Sequence, residues 1–308
     1  MFERYPVVSM SLPTLLLTGC NGQLGRTFSD RWTRSSLNGR FRLVKASRAI
    51  LDLSDTDSTA SYLTTINPSV IVNAAAYTRV DEAESDSESA YLVNDIAVGI
   101  LVSWCQKNSC KLIHLSTDFV FDGLASVPYK TDAITNPLGV YGLSKLGGEQ
   151  RVLHGLPTKG FVLRTSWLYS EYAPNFVKTM LRLMSGGRDI RVVNDQIGSP
   201  TSAHSLVEFI YYLIRTDGRP GIHHFTDGGQ VSWYDFAVAI KRLATDIGIL
   251  KTDPLIIPIP SLEYPTAASR PAFSVLDLSS VEDSADRQDW DKELHDVLCR
   301  IKASSEPV

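Results

Sequence analysis

The sequence has few cysteines: only Cys20, Cys105, Cys110 and Cys299 occur among its 308 residues. No two of them form a C-x-x-C pair, and no histidine cluster has the spacing of a zinc site. We therefore expect neither a disulfide framework nor a bound metal. Scattered cysteines without a disulfide or metal-binding pattern are typical of a reducing compartment, which predicts a cytoplasmic protein.

Long apolar runs and basic stretches are also missing. No apolar run approaches the roughly 20 residues that a membrane-spanning helix needs, so we expect no membrane partner. The stretch Met1–Pro13 lacks the long apolar core of a signal peptide, and we interpret it as a loose extension ahead of the first strand. The net charge is −4 without a basic stripe, which predicts that nucleic acid is not a partner.

Apolar residues are plentiful, at 44% of the chain, and they are arranged in short runs. Strand-like runs separated by helical spacing occupy the first half. They are Thr14–Thr18, Phe41–Ala46, Ser69–Asn73, Lys111–Ser116 and Gly160–Ser166. Such alternation is typical of βαβ units in a parallel sheet that helices cover on both faces. After about Tyr169, prolines and loops increase, as in 253–260, which indicates a smaller C-terminal region with helices at Tyr234–Leu243 and Trp290–Ile301.

Three glycines follow the first strand with the spacing G-x-x-G-x-x-G. Gly19, Gly22 and Gly25 allow a tight turn, a close backbone approach to a pyrophosphate, and close packing of helix on strand. The start of the following helix would present free N–H groups to the phosphates. Glycine triplets also serve plain turns, but this position directly after an apolar strand favours dinucleotide binding.

The end of the second strand bears on the choice of cofactor. An acidic residue there binds the ribose hydroxyls of NAD, whereas arginine accepts the 2′-phosphate of NADP. Arg48 therefore favours NADP, although an exposed surface arginine is an equal alternative. Asp52 would either hydrogen-bond the adenine or cap the following helix.

Tyr141 and Lys145 are four residues apart, which places them on one face of a helix. A nearby ammonium favours the phenolate and moves a tyrosine toward the range useful for acid–base catalysis. Thr117 stands at the end of a predicted strand upstream, where ligands bind in open parallel sheets, and could hydrogen-bond a substrate oxygen beside Tyr141. The alternative is a Tyr and a Lys that merely share a surface face.

Together, these motifs resemble the extended short-chain dehydrogenases. Longer segments resemble one of their families, the dTDP-4-dehydrorhamnose reductases. These segments are Val72–Asp81, Leu115–Gly123, Tyr141–Glu149, Arg164–Tyr169, Asn175–Leu181 and Val193–Thr201. The resemblance runs from about Leu15 to the C-terminus. It implies an α/β fold with a Rossmann-type doubly wound parallel sheet and a smaller C-terminal substrate-binding region. We expect 14–168 to be mainly the NAD(P)-binding domain, and 169–308 mainly the substrate-binding region, interleaved with the sheet.

The resemblance also implies an activity: reduction of dTDP-4-dehydro-L-rhamnose to dTDP-L-rhamnose by NADPH or NADH. The resemblance implies that Tyr141 is the proton donor, that Lys145 holds the nicotinamide ribose, and that Thr117 orients the carbonyl. The residues implied at the cofactor are Gly19, Gly22, Gln23, Leu24, Asp52, Leu53, Ala76, Tyr77 and Thr78. Those implied at the sugar are Thr117, Asp118 and Trp167.

The sequence departs from the family pattern in places. Phe119 replaces the usual tyrosine after Thr-Asp, which removes one hydroxyl near the sugar. Thr27 stands where some members carry a glutamate of a magnesium-mediated dimer, so no metal is carried over. We expect a homodimer only by analogy with other members of the superfamily. We expect Arg270 to contact the diphosphate because arginine binds phosphate bidentately, and Lys178 is a weaker candidate. For each of them, a surface salt bridge is an equal alternative.

Two other functions are compatible with the sequence. A 4-ketoreductase for another nucleotide-linked deoxysugar would carry the same Tyr141 and Lys145. A non-catalytic NADP-binding regulatory subunit, like the β-subunit of methionine adenosyltransferase, would share the fold and the glycine turn. That family lacks the close match at Ser166–Tyr169 and Asp195–Thr201.

Overall fold

A computed structural model describes residues 12–216, 218–281 and 287–304. Its strands are β1 (Thr14–Thr18), β2 (Arg42–Ala46), β3 (Val70–Asn73), β4 (Lys111–Thr117), β5 (Gly160–Thr165), β6 (Leu168–Tyr169), β7 (Ile190–Val193), β8 (Ile197–Gly198), β9 (Thr201–Ser202), β10 (Gly221–His224), β11 (Val231–Ser232) and β12 (Ile256–Ile259). Its α-helices are α1 (Gln23–Arg31), α2 (Thr56–Ile66), α3 (Val80–Ala83), α4 (Ser87–Tyr91), α5 (Ala97–Asn108), α6 (Val140–Gly155), α7 (Phe176–Ser185), α8 (Ala203–Thr216), α9 (Trp233–Asp246) and α10 (Trp290–Ala303). The expected N-terminal extension lies, up to residue 11, outside the described residues.

Six parallel strands form the central sheet in the order β2-β1-β3-β4-β5-β10. The chain moves outward from β1 to β2 and then crosses back to place β3 on the other side of β1. The strand order therefore reverses between β1 and β3, which is where open α/β sheets bind ligands. The prediction of a doubly wound, Rossmann-type parallel sheet is confirmed.

The sheet is buried on both faces, which explains the continuous apolar runs in its strands. Leu15 and Leu17 of β1 point into one core with Phe28 of α1 and Phe209 of α8. Leu16, between them, points into the opposite core, which α2 and α5 help to form. Alternate residues of one strand thus stabilise both layers of helices.

The C-terminal half builds a separate core from α7, α9 and α10, with apolar residues such as Met180, Phe236 and Leu298. The short parallel pair β7 and β12 completes this region. By contrast, α8 and β10 return to the central sheet although they belong to 169–308. The expectation of a loop over 253–260 was wrong for Ile256–Ile259. This strand carries Pro258, which is tolerated because β12 pairs only on one side.

A π-helical turn, Leu92–Ile96, lies between α4 and α5. The helix predicted over Ala90–Gln106 is therefore present but interrupted, and such turns often mark functional sites. The helices expected at Tyr234–Leu243 and Trp290–Ile301 lie within α9 and α10. Among the described residues, no helix has the length and apolarity to cross a membrane.

Candidate active site

The glycine turn lies at the point where the strand order reverses. Gly19 follows β1 with φ +63°, and a Cβ there would lie 2.7 Å from the carbonyl oxygen of Ala74. A Cβ on Gly25 would lie 2.3 Å from the carbonyl oxygen of Gly19. Gly22 is different, since a Cβ there would meet only the Gly19 oxygen, at 3.4 Å. The turn thus packs tightly on its inner side and leaves a cradle at Gly22 into which a phosphate fits.

The start of α1 supplies hydrogen-bond donors to this cradle. The first helical bond runs from the Arg26 N–H to the Gly22 carbonyl at 2.9 Å, so the preceding N–H groups border the turn. The Leu24 side chain is buried in the core, and the Gln23 side chain bonds the loop before α7. Their side chains are therefore committed to the protein, and only their backbone N–H groups face the turn.

Arg48 and Asp52 follow β2 and pair with each other, with Arg48 Nε 3.2 Å from Asp52 Oδ2. The Arg48 side chain is 77% exposed, so it lies open to a ligand. Hydrogen bonds from Ser54 hold the pKa of Asp52 below its usual value. The alternative of Asp52 as a helix cap was wrong, because Asp55 accepts the Ser58 N–H at the start of α2. Leu53 is buried beside them.

Hydrogen bonds join the ends of β1 and β3 to the middle of β4. Thr18 donates to Asn73 Oδ1 at 2.7 Å, and the Asn73 amide faces His114 Nδ1 at 3.0 Å. The Ala75 N–H returns to the Thr18 hydroxyl at 3.3 Å. The backbone after β3, which leads to Ala76, is thereby held against the glycine turn.

Asn94, in the π-helical turn, holds the next part of that segment. Its Oδ1 accepts the Tyr77 N–H at 2.9 Å, and its Nδ2 donates to the Tyr77 carbonyl and to the Ser144 hydroxyl, both at 3.0 Å. The Tyr77–Thr78 segment is therefore tied to α6. Asn94 was not predicted from the sequence. One asparagine in an apolar helix does not indicate a π-helical turn, and it is this turn that directs Asn94 toward Tyr77.

Tyr141 and Lys145 lie one turn apart on α6, beside the end of β4. Lys145 Nζ donates to the Leu115 carbonyl at 2.5 Å. The Tyr141 ring meets Phe119 edge to face, with centroids 5.7 Å apart. Glu84 caps the start of α6 by accepting the Val140 N–H at 2.9 Å. The structure thus brings the predicted Tyr and Lys together with the β4 end that carries Thr117.

Burial dominates the electrostatics of this group. It raises the pKa of Tyr141 to about 12, against a hydrogen bond with Thr117 that lowers it. It lowers the pKa of Lys145 to about 8, against the nearby carboxylate of Glu149. At neutral pH, Tyr141 is therefore a protonated phenol and Lys145 is mostly charged. This contradicts the expectation from the sequence that the Lys145 ammonium would lower the pKa of Tyr141, because desolvation dominates and leaves the phenol with its proton.

Asp118 begins a 3-10 turn directly after β4 and is buried. Burial raises its pKa to about 6, although hydrogen bonds from Ser274 and Thr117 oppose this. Its Oδ2 has no partner in the part of the chain that the structure describes. A buried acceptor without a donor is costly, which favours a ligand hydroxyl as its partner.

A buried ionic network supports α6 from behind. Glu149 accepts two hydrogen bonds from Arg164 of β5, at 2.9 and 2.6 Å, and one from Ser116 at 2.5 Å. Arg164 also lies beside the Phe121 ring, at 5.1 Å. These contacts fix α6 to β4 and β5, and therefore fix the height of Tyr141 and Lys145 above the sheet.

A cavity of about 410 Å³ opens beyond Phe119. Apolar side chains of α7 and β7 form one wall. The segment that carries Tyr264, Thr266, Arg270 and Ser274 forms another. Trp167 and Trp233 stack at its side with centroids 3.5 Å apart.

Arg270 lines the cavity but is already paired, since its guanidinium makes a bidentate contact with Asp81 at 2.7 and 3.1 Å. Lys178 donates to the Glu171 carbonyl instead of facing the cavity centre. Of the two cationic residues expected at the diphosphate, Arg270 is thus the one that borders the cavity.

The sheet topology, the glycine cradle and the Tyr141–Lys145 pair on α6 together define a Rossmann-type reductase of the extended short-chain dehydrogenase class. The model of the RmlD substrate binding domain family matches residues 13–303. The chain belongs to this family, that of the dTDP-4-dehydrorhamnose reductases, as the sequence motifs had indicated.

Individual relatives agree with this assignment. A dTDP-4-dehydrorhamnose reductase of Aggregatibacter actinomycetemcomitans is 41% identical over 290 residues, which are 92% of this chain and 97% of that protein. A dTDP-4-keto-6-deoxy-D-glucose reductase of Streptomyces niveus is 38% identical over 85% of this chain and 87% of that protein. The structure of dTDP-4-dehydrorhamnose reductase from Bacillus anthracis in complex with NADP has a TM-score of 0.86 at 32% identity, covering 94% of this chain and 100% of that one.

Proposed function

We propose that this protein reduces the C4 ketone of dTDP-4-dehydro-L-rhamnose to give dTDP-L-rhamnose, with NADPH or NADH as the reductant. The observation that carries the proposal is the meeting of Tyr141, Lys145 and Thr117 at the end of β4, where the Tyr141 ring contacts Phe119, which lines the cavity. The family membership and the similar NADP complex support the cofactor and the substrate class.

The glycine turn fits the diphosphate of a dinucleotide, because a cradle at Gly22 and free N–H groups at the start of α1 meet there. When bound, the reduced nicotinamide supplies the hydride. Arg48 and Asp52 lie toward the adenosine end, and Ala76, Tyr77 and Thr78 border the middle of the cofactor. The exposed Arg48 guanidinium would accept a 2′-phosphate, which favours NADPH.

Tyr141 donates its phenolic proton to the oxygen at C4 as negative charge develops there. Thr117 orients that oxygen, and the Lys145 ammonium stabilises the phenolate that remains and holds the nicotinamide ribose. Asp118 accepts a sugar hydroxyl through its unpartnered Oδ2. The two donors and the positive charge are fixed before the reaction, so little reorganisation is required.

Residues 169–308 would mainly bind the sugar nucleotide, with Trp167 against the sugar and Arg270 beside the diphosphate. Arg270 would then exchange part of its contact with Asp81 for phosphate oxygens, which suits the fork of a guanidinium. We further propose a cytoplasmic homodimer that binds no nucleic acid. The thiol state of Cys20, Cys105, Cys110 and Cys299 supports the location.

The test mixes purified protein with NADPH and enzymatically generated dTDP-4-dehydro-L-rhamnose, and follows loss of the reduced nicotinamide absorbance. Tyr141→Phe should lower kcat/KM by about 10² to 10⁴-fold, as expected for loss of a general acid. Tyr211→Phe is the matched control, because it also removes a buried hydroxyl but lies on α8. Chromatography identifies the product.

Three outcomes would overturn or redirect the proposal. No oxidation of NADPH or NADH despite cofactor binding would indicate a regulatory subunit. Turnover of dTDP-4-keto-6-deoxy-D-glucose in preference to the rhamnose precursor would indicate another deoxysugar, a reading that the Streptomyces niveus relative favours. Full activity in Tyr141→Phe would exclude Tyr141 as the proton donor.

A further inference from the structure

One face of α1 contacts the loop that leads into α7. Gln23, Arg26 and Asp30 are spaced i, i+3 and i+7, so they lie along this face. The Arg26 guanidinium lies over the Tyr172 ring, 4.3 Å from its centroid, and Tyr172 donates its hydroxyl to Asp30. The helix whose N-terminus borders the cofactor cradle is thus packed along its length against the C-terminal half.

Gln23 makes the contact nearest to the cradle. Its Oε1 accepts hydrogen bonds from Asn175 Nδ2 at 2.9 Å and from the Ser170 hydroxyl at 3.2 Å. Its Nε2 donates to the Leu168 carbonyl at 3.4 Å. One amide therefore joins three points between β6 and the start of α7.

Both ends of that segment border the cavity. Leu168 directly follows Trp167, which forms part of the cavity wall. Asn175 is the N-cap of α7, since its Oδ1 accepts the Lys178 N–H at 3.1 Å. Phe176 and Met180 of that helix also line the cavity. The backbone of Gln23 thus borders the glycine turn, while its side chain holds the segment that borders the cavity.

We propose that Gln23 couples the two sites, so that cofactor bound at the start of α1 tightens binding of the sugar nucleotide. The inference rests on the proposed function, which puts a dinucleotide at the cradle and a thymidine diphosphate sugar in the cavity. Phosphates at the helix start would order the first turn of α1 and with it the Gln23 amide. The amide in turn orders Trp167 and the cap of α7. Linkage requires the effect to be reciprocal.

The test measures the dissociation constant of dTDP by calorimetry, without NADPH and with saturating NADPH. The ratio of the two constants is the coupling factor, and saturation removes any change in the variant's own cofactor affinity. We expect a factor of about five or more for the wild type, within the usual range of site coupling. Gln23→Ala should bring it close to 1.

Two further variants separate coupling from loss of structure. Asn175→Ser keeps an N-cap for α7, because serine caps as well as asparagine, but is too short to reach Gln23. It should also lose the coupling. Gln106→Ala is the matched control, since that amide likewise bonds a carbonyl, at 2.7 Å, yet joins α5 to the end of α6. It should retain the wild-type factor.

Each outcome decides the inference. A wild-type factor near 1, or an unchanged factor in either Gln23→Ala or Asn175→Ser, would overturn it while leaving the proposed reduction intact. Loss of the factor in Gln106→Ala as well would also overturn it, because the effect would then be general. Failure of wild-type protein to bind either NADPH or dTDP would overturn the proposed function itself.

Discussion

Glu149 and Arg164 form a bidentate ion pair whose side chains are only 1% and 2% exposed. Both groups lose their hydration, so each depends on the other for compensation. Glu149 lies one turn beyond Lys145 on α6, and Arg164 lies on β5, so the pair joins that helix to the sheet.

Arg164→Met should therefore destabilise the fold by about 3–5 kcal/mol, because it leaves a buried carboxylate unpaired. The free energy of unfolding in urea measures this. Asp291→Asn provides the control, since Asp291 pairs with Arg242 at the surface and such pairs contribute about 0–1 kcal/mol. Equal effects of the two substitutions would contradict the prediction. Combining Arg164→Met with Glu149→Leu should recover part of the loss.

The pH dependence of reduction should have two limbs. Burial lowers the pKa of Lys145 to about 8, so its charge is lost as the pH rises through that value and the rate should fall. Burial raises the pKa of Asp118 to about 6, so this acceptor is lost as the pH falls below it. We expect kcat/KM for the sugar nucleotide to be highest between these values.

Each limb can be assigned by substitution. Asp118→Asn should remove the acidic limb alone, and the residual activity of Lys145→Met should lack the alkaline one. The measurement is kcat/KM across pH 5 to 10, a range chosen to bracket both limbs by about a unit or more. An alkaline limb that persists in Lys145→Met would assign it to another group.

Gly19 and Gly39 offer a matched pair of left-handed glycines. Their φ values are +63° and +83°, so alanine is strained at both, by about 1–2 kcal/mol. A Cβ at Gly39 meets nothing within 4 Å, whereas one at Gly19 lies 2.7 Å from the Ala74 carbonyl oxygen. Gly19→Ala should therefore cost more stability and weaken NADPH binding at least about tenfold through displacement of the cradle. Gly39→Ala should leave the affinity unchanged. Equal NADPH affinities in a fluorescence titration would refute this.

The stacked Trp167 and Trp233 rings should govern affinity for the sugar nucleotide. Trp233→Ala removes the support of Trp167, and aromatic pairs contribute about 0.5–1.5 kcal/mol beyond burial. We expect dTDP binding to weaken about 3–10-fold by calorimetry. Trp233→Phe should restore most of the affinity because it keeps an aromatic face. Unchanged dTDP affinity in Trp233→Ala would contradict the prediction, because it would mean that Trp167 keeps its place without Trp233.

The central sheet could be predicted from the sequence because parallel strands buried on both faces are continuous apolar runs. The runs at Thr14–Thr18 and Gly160–Ser166 agree with β1 and β5 to within a residue. The strand Ile256–Ile259 could not be predicted in this way. Pro258 within it and the prolines on either side indicate a loop, and Pro258 is compatible with a strand only because β12 pairs with β7 on one side.

The site was partly predictable for a similar reason. Tyr141 and Lys145 are close in sequence and lie on one helix, so their spacing could be recognised from the sequence. The partners of Asn94 and Gln23 are distant in sequence, and a side chain's direction depends on packing that no local pattern records. Gln23 illustrates this, since the motif predicts its place at the cofactor while its amide bonds Asn175.

The π-helical turn at Leu92–Ile96 rotates the part of the helix before it relative to the part after it. Asn94 can therefore face Tyr77 while Val98 and Leu101 face the core of the sheet. A π turn holds one more residue than the α-helical turn it replaces, and each α-helical residue advances the helix by about 100°. Deleting a residue there would leave Asn94 unable to face Tyr77 while Val98 and Leu101 stay in the sheet's core. One inserted residue thus separates two requirements that a regular helix would force into the same register.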